Sequence, residues 1–404
     1  MQIGERKIGV NHPPYVIAEI GVNHDGEVER ALALTDAAAD AGADAVKLQF
    51  FETDRLMSKA AKLAAYQKNA GETDPIEMLK RLELTIDEMA LVVDRAHERG
   101  IHAIVTVFST ELVEIAETLA WDAYKTASPD IVNRPLLEAL MATGKPMIVS
   151  TGASELDEVV RAVGWLDGAK DRLAVLQCVS SYPAPETAFG GVVALANVTG
   201  LPAGYSDHTK GYEGQRAAAF GACILEKHIT YDKKAAGPDH KASLWEAQFK
   251  TYVDSSVVNS SEQDHITIAR SHTTDDRPSI SSARLIADIL GFDDVGAAWA
   301  LQHEVQRNPT VKNVLDCERD VRQVARQSVV STRAIPEGTA ITREMLTIKR
   351  PGTGILAYEI DTVVGRIATR AIEADVPIVQ EDLECQSSSK KSWSSPGPAR
   401  SSGS

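Results

Sequence analysis

Short, continuous apolar runs alternate with helix-compatible stretches along the first two-thirds of the chain, and this alternation limits the fold more than any other feature. The runs fall at residues 15–20, 45–51, 101–108, 123–126, 146–151, 173–179, 201–205 and 222–229. Residues 28–41, 86–100, 111–119, 134–143, 155–166 and 214–222 lie between them and carry helical spacing or small residues. Gly100 and Gly144 follow two of these segments, where a helix end favours glycine. The total is about eight βα units, the number that closes a barrel. The apolar runs do not alternate with polar residues, as expected of parallel strands covered on both faces. A doubly wound open sheet would place a Gly-rich phosphate turn after its first strand, and GVNHDG at 21–26 does not match one. The predicted fold is α/β, a (β/α)8 TIM barrel over residues 1–253.

Polar residues collect at one end of these strands. Glu19, Lys47, Gln49, Thr106, Lys125, Ser128, Ser150, Ser180, Ser206, His208 and His228 all lie at or just past a C-terminal strand end. That face carries the active site of barrel enzymes. His208 and His228 end adjacent strands, and two neutral imidazoles there can share a divalent metal. Each taken alone could instead hydrogen-bond near its strand end. A lysine inside the apolar run around Lys47 is costly to bury without a partner, and Glu19 is the alternative partner to a ligand. Together, two lysines, two imidazoles and several hydroxyls suit an anionic, phosphorylated substrate beside a metal.

The formal net charge of -15 argues against nucleic acid or an anionic membrane as the main partner, so the lysines must act locally. Four scattered cysteines give neither a metal knuckle nor a disulfide framework, and a reducing cytosol is the expected compartment. No run reaches membrane-spanning length. Residues 254–325 read as a polar, partly helical linker, with helical pieces near 282–290 and 295–305. His265, His272 and His303 in that region fit no metal motif. Residues 326–385 alternate short β-rich runs with Pro/Gly turns, the pattern of a small β module. The Ser-rich tail, 386–404, lacks apolar content for a core and is expected to be disordered.

Seven segments in order, AEIGVNHDG, AGADAVKLQ, GKPMIVSTG, GYSDHT, ILEKHIT, GPDHKAS and KRPGTGI, resemble the sialic acid synthase family. The terminal module resembles the antifreeze-like SAF domain of the same enzymes. The resemblance implies condensation of phosphoenolpyruvate with an N-acetylated amino sugar, releasing phosphate and forming a nine-carbon 2-keto-3-deoxy acid; the alternatives are a related synthase using a phosphorylated sugar and a catalytically silent sugar-binding homologue. It implies that Glu19 is the catalytic glutamate. Lys47, Thr106, Lys125, Ser128 and Ser206 would bind phosphoenolpyruvate, with Gln49 beside them. Ser180 and Tyr182 would line phosphoenolpyruvate and sugar, and Asp239 would bind the sugar. His208 and His228 would hold Mn2+ or Mg2+. Arg350 would enter the barrel of a partner subunit, which implies a domain-swapped homodimer. The chain departs from the family pattern at Gln177 and Ser180, where many members carry His and Asn. It also has Ala127 and Pro129 where many have Gly, and the 254–309 connection is longer than usual.

Overall fold

The computed structural model describes residues 1–260 and 310–384. The helical pieces expected near 282–290 and 295–305, the three linker histidines and the 386–404 tail lie outside the described residues. Eight parallel strands close a barrel: β1 (Tyr15–Glu19), β2 (Ala45–Phe50), β3 (His102–Val107), β4 (Ala123–Thr126), β5 (Met147–Ser150), β6 (Leu173–Cys178), β7 (Ala203–Asp207) and β8 (Ile224–His228). They are paired in sequence order, and β8 closes on β1 with His228 opposite Glu19.

Helices α1 (Val28–Asp40), α2 (Ile86–Glu98), α3 (Arg134–Ala142), α4 (Leu156–Trp165), α5 (Gly190–Thr199) and α6 (Glu246–Ser260) surround the strands. Local sequence sets several of their ends. Thr85 accepts from the Glu88 amide at 3.3 Å while the Glu88 carboxylate accepts from the Thr85 amide at 2.7 Å, a reciprocal cap that starts α2. Asn133 caps α3 through the Leu136 amide. Two predicted helices are shorter or tighter than expected. The stretch after β3 splits into a 3-10 turn, Thr110–Leu112, and a short helix, Val113–Ala116, while the small residues between β7 and β8 form a 3-10 helix, Glu213–Phe220.

Strand periodicity sorts the barrel side chains into two environments. Val16, Val46, Val105, Val149, Val175 and Leu225 face outward into the large core beneath the helices. Ile17, Ala45, Ile104, Ala123, Ile148 and Ile224 face inward and fill the lower barrel, where the unpredicted N-terminal hairpin, Gln2–Ile3 with Arg6–Lys7, contributes Ile3 and Ile8. Two residues further along, the inward positions become polar: Glu19, Lys47, Thr106, Lys125, Ser150 and Glu226. The apolar plug thus gives way to a polar floor open at the C-terminal end. None of the described helices is long and apolar enough to cross a membrane.

The terminal module has its own core, including Val329, Ile335, Ile341, Ile355 and Ile378, around the antiparallel pair β9 (Ser328–Ser331) and β10 (Leu346–Lys349). It lies against the barrel of the same chain. Helix α7 (Arg319–Ala325) leads into it, and Arg322 and Arg326 both grip Glu158 at 2.7 and 2.6 Å. Burial alone would raise the Glu158 carboxyl, but Arg326 and Arg322 outweigh it and hold it at about 2. On the other side the Arg350 amide donates to Leu56 O at 2.8 Å, and the Ser58 amide donates to Arg350 O at 3.0 Å.

Candidate active site

The strand ends, the β2–α2 insertion and the module together enclose a cleft of about 940 Å3, counted with its open mouth. Every candidate residue from the sequence lines it: Glu19, Lys47, Gln49, Thr106, Lys125, Ser128, Ser180, Tyr182, Ser206, His208, His228, Asp239 and Arg350.

The floor is a buried charge network. Lys47 forms an ion pair with Glu19 and donates to Thr106 Oγ1 at 3.1 Å. The lysine therefore has the carboxylate partner that the sequence offered as its alternative, and the pair stands inside the cleft. The other oxygen of Glu19 accepts from the Gly21 amide at 2.8 Å, so the carboxylate is oriented from both sides. Burial draws Lys47 down to about 7, with Glu226 opposing, and the direct pair with Glu19 favours its charged form. Lys125 donates to Glu226 at 3.0 Å, and Glu226 also accepts from Ser206 at 2.8 Å. Burial would raise the Glu226 carboxyl, but Lys125 and Lys47 outweigh it and hold it well below its ordinary range.

Glu226 lies outside the set chosen from the sequence, although its position marks it. It precedes His228 by two residues on one strand, so the period of two turns both side chains inward. Lys227, between them, points the other way and pairs with Asp207 at 3.1 Å behind the barrel, fully buried. Cys178 and Tyr66 also line the cleft outside that set. A Cβ at Gly152 would collide with Ser180 Oγ and Cys178 Sγ, so the glycine lets the β5 loop pass close to both, and its amide donates to Ser128 Oγ at 2.9 Å.

One wall carries the imidazoles. His208 Nδ1 bonds Val179 O at 2.8 Å, which fixes the proton there and leaves Nε2 as the free lone pair, 3.3 Å from Ser206 Oγ. His228 Nδ1 is buried with no hydrogen-bond partner, and Asp239 Oδ2 is 3.8 Å away. Burial lowers His208 to about 4 and His228 well below its ordinary value, so both rings are neutral near pH 7. An orphaned buried nitrogen beside a tautomer-fixed imidazole fits a divalent ion. Among the described residues no group of three or more His, Cys, Asp or Glu side chains forms a complete metal site. An ion here would be held by the two imidazoles alone, with water or substrate completing its shell. Tyr182 packs on His208 with centroids 4.1 Å apart and against Tyr66 at 4.9 Å. Burial raises the Asp239 carboxyl to about 7.

Arg350 closes the mouth. Its guanidinium lies 5.5 Å from the centroid of Phe108, and its enclosed Nε has no hydrogen-bond partner. Asp130, with one buried oxygen also unpartnered, faces it electrostatically. Burial raises Asp130 to about 7 against the pull of Arg350.

Known proteins resemble this chain in sequence and in overall fold. Residues 34–264 match the NeuB family and residues 326–384 match the SAF domain. The chain belongs to the NeuB family. It is 32% identical to the N,N'-diacetyllegionaminic acid synthase of Legionella pneumophila, over 92% of this chain and 94% of that one. It is 30% identical to the human N-acetylneuraminate-9-phosphate synthase, over 93% and 94%. The crystal structure of spore coat polysaccharide biosynthesis protein SpsE from Bacillus subtilis superimposes with a TM-score of 0.74 at 27% identity, covering 96% of this chain and 99% of that one. The barrel and SAF module expected from the sequence are thus the family's architecture.

Proposed function

We propose that the protein condenses phosphoenolpyruvate with an N-acylated amino sugar of the N-acetylmannosamine type, giving a nine-carbon 2-keto-3-deoxy sugar acid and phosphate. The observation that carries this reading is the convergence of two buried, carboxylate-paired lysines and two neutral imidazoles in one cleft. The relatives named as synthases of legionaminic acid, N-acetylneuraminate 9-phosphate and pseudaminic acid support it.

In this reading Lys47 and Lys125 bind the anionic ends of phosphoenolpyruvate, with Thr106, Ser128 and Ser206 as hydroxyl partners and Gln49 beside them. Each ammonium already lies against a carboxylate, so it is buried without being orphaned before substrate arrives. Ser180 and Tyr182 flank the two substrates. Asp239, beside His228 at the cleft wall, offers its carboxyl oxygens to the sugar hydroxyls. Arg350 presents planar donors to sugar oxygens. A divalent ion, Mn2+ or Mg2+, held by His208 and His228 would polarise the aldehyde oxygen of the open-chain sugar.

C3 of phosphoenolpyruvate attacks that aldehyde carbon, leaving a cationic centre at C2. Water adds at C2, and phosphate departs from the tetrahedral intermediate by C–O cleavage. Glu19, fixed by the Gly21 amide and Lys47, places its negative charge to stabilise C2 or to take the proton of the incoming water.

We infer that the module completes a cleft of this kind in a homodimer. The resemblance places it on the partner's barrel, whereas the contacts described above lie within one chain. Mixing Arg350→Ala with Glu19→Ala protein distinguishes the two: activity regained on subunit exchange means docking between subunits, and continued silence means docking within the chain. The reaction itself is tested by measuring phosphate release and keto acid formation from phosphoenolpyruvate and N-acylated hexosamines in Mn2+. Absence of both with every acceptor refutes the proposed function.

A further inference from the structure

Asp239 is carried on a loop, not on a barrel strand. The chain leaves β8 at His228 and reaches α6 at Glu246, and Asp239 lies between them with its Oδ2 3.8 Å from His228 Nδ1. The β1–α1 loop, residues 20–27, lies against this segment and binds it through two side chains.

The first is Asn23. Its Nδ2 donates to Ile229 O and to Ser243 Oγ, each at 2.8 Å, and Ser243 Oγ in turn donates to Asp239 O at 2.7 Å. The second is Asp25. Its Oδ1 meets His240 Nε2 at 3.0 Å, while Thr230 Oγ1 meets His240 Nδ1 at 2.8 Å. A carboxylate only accepts, so in the neutral ring Nε2 carries the proton and Nδ1 receives the Thr230 hydroxyl hydrogen. Both ring nitrogens are thereby committed, and the buried imidazole is held in one orientation. The other oxygen of Asp25 accepts from Arg30 at 2.6 Å and from Tyr231 at 2.7 Å, which ties the clamp to α1. Asp25 takes left-handed backbone, φ +52, where Asp and Asn are favoured over other side chains. Gly237 leaves room for the ring, since a Cβ there would lie 2.8 Å from His240 Cδ2.

These contacts bracket Asp239. Its carbonyl is pinned by Ser243 Oγ and by the Ala242 amide at 3.1 Å, and the side chain of the next residue is locked between Asp25 and Thr230. The same β1–α1 loop contains Gly21, whose amide orients Glu19. Neither Asp25 nor His240 lines the cleft. We infer that Asp25 and His240 are positioning residues for the acceptor sugar, acting through Asp239. The inference rests on the reaction proposed above and adds two residues to its sugar side. Misplacing a substrate-positioning group by about 1 Å costs on the order of 100-fold in rate. A buried histidine that only stabilised the fold would, when removed, weaken both substrates or neither.

The test measures KM and kcat for the N-acylated hexosamine that the unmodified protein turns over fastest, with phosphoenolpyruvate and Mn2+ saturating. The melting-temperature shift produced by phosphoenolpyruvate alone is measured beside it. His240→Ala should raise the sugar KM by about tenfold or more and leave the phosphoenolpyruvate-induced shift at its value in the unmodified protein. His240→Gln keeps a donor toward Asp25 and should recover most of the loss. Asp25→Asn keeps the left-handed backbone but gives up the charge and one acceptor, so it should raise the sugar KM in the same direction. It also reads the clamp if His240→Ala fails to fold. An unchanged sugar KM in folded His240→Ala or Asp25→Asn protein overturns the inference and leaves the proposed reaction standing. A loss of phosphoenolpyruvate affinity as large as the loss for the sugar overturns it too. Turnover of no N-acylated hexosamine by the unmodified protein refutes the reaction, and the inference with it.

Discussion

Glu226→Gln separates the structural and ligand-binding roles of the buried floor. The carboxylate meets Lys125 at 3.0 Å, Ser206 at 2.8 Å and Lys47 at 3.8 Å, with almost no solvent exposure. The amide keeps the shape but removes the charge, leaving the Lys125 ammonium buried without a counterion. Breaking a buried pair on one side costs about 3–5 kcal/mol. For a barrel of this size, about 2 °C per kcal/mol, the melting temperature should fall by roughly 6–10 °C. Phosphoenolpyruvate should then reverse part of the loss. In the unmodified protein its anion shares Lys125 with Glu226, whereas in the variant it supplies the only counterion. One charge-assisted bond strengthens by about 1.5–3 kcal/mol, so the ligand-induced shift should exceed that of the unmodified protein by roughly 3–6 °C. Thermal scans of both proteins at several phosphoenolpyruvate concentrations read this directly. A ligand-induced shift in the variant equal to or smaller than that of the unmodified protein refutes the assignment of Lys125 to the anion.

Other perturbations probe the remaining groups. Lys47→Ala and Lys125→Ala should each weaken phosphoenolpyruvate by one to two decades, about 1.5–3 kcal/mol, and the sugar far less; unchanged affinity for phosphoenolpyruvate in both contradicts the roles given them. A chelator, or His208→Ala, should abolish activity and bound metal while leaving the far-ultraviolet circular dichroism intact; full turnover in chelator removes the metal from the reaction. Asp130 has its folded value raised to about 7 from an ordinary 3.8, so its stabilising contribution is complete below about 4 and is lost as pH rises to about 7. Asp130→Asn should therefore gain on the unmodified protein in melting temperature as pH rises from below 4 to 8, and a difference that does not move with pH refutes the sign. Glu318 accepts from the Ala153 and Ser180 amides at 2.7 Å each, joining the β5 and β6 loops to the segment before the module. Glu318→Ala orphans both donors at about 1–3 kcal/mol each, and should raise the substrate KM values more than it lowers kcat, with Glu318→Gln recovering most of the loss.

The βα alternation identified the barrel because parallel strands covered on both faces leave continuous apolar runs, and such runs survive in one dimension. The cleft's polar floor was legible for the same reason: Glu19, Lys47, Lys125, Ser206 and His228 interrupt or end those runs, and the strand period of two assigns their direction. By that rule Glu226 was readable as well, since it shares the inward face with His228. Lys227 shows the limit of residue type alone, because it is as buried as Lys47 yet pairs behind the barrel. Other features depend on contacts between segments far apart in the chain. Glu318 reaches Ser180 across 138 positions, and Ser58 bonds Arg350 across 292. The apolar side of the cleft gathers Val22, Phe51, Leu79 and Phe108 from separate loops, none of them unusual beside its own neighbours. Local periodicity encodes which side of an element a residue faces. Which element it faces depends on how the chain closes, and only the tertiary structure supplies that.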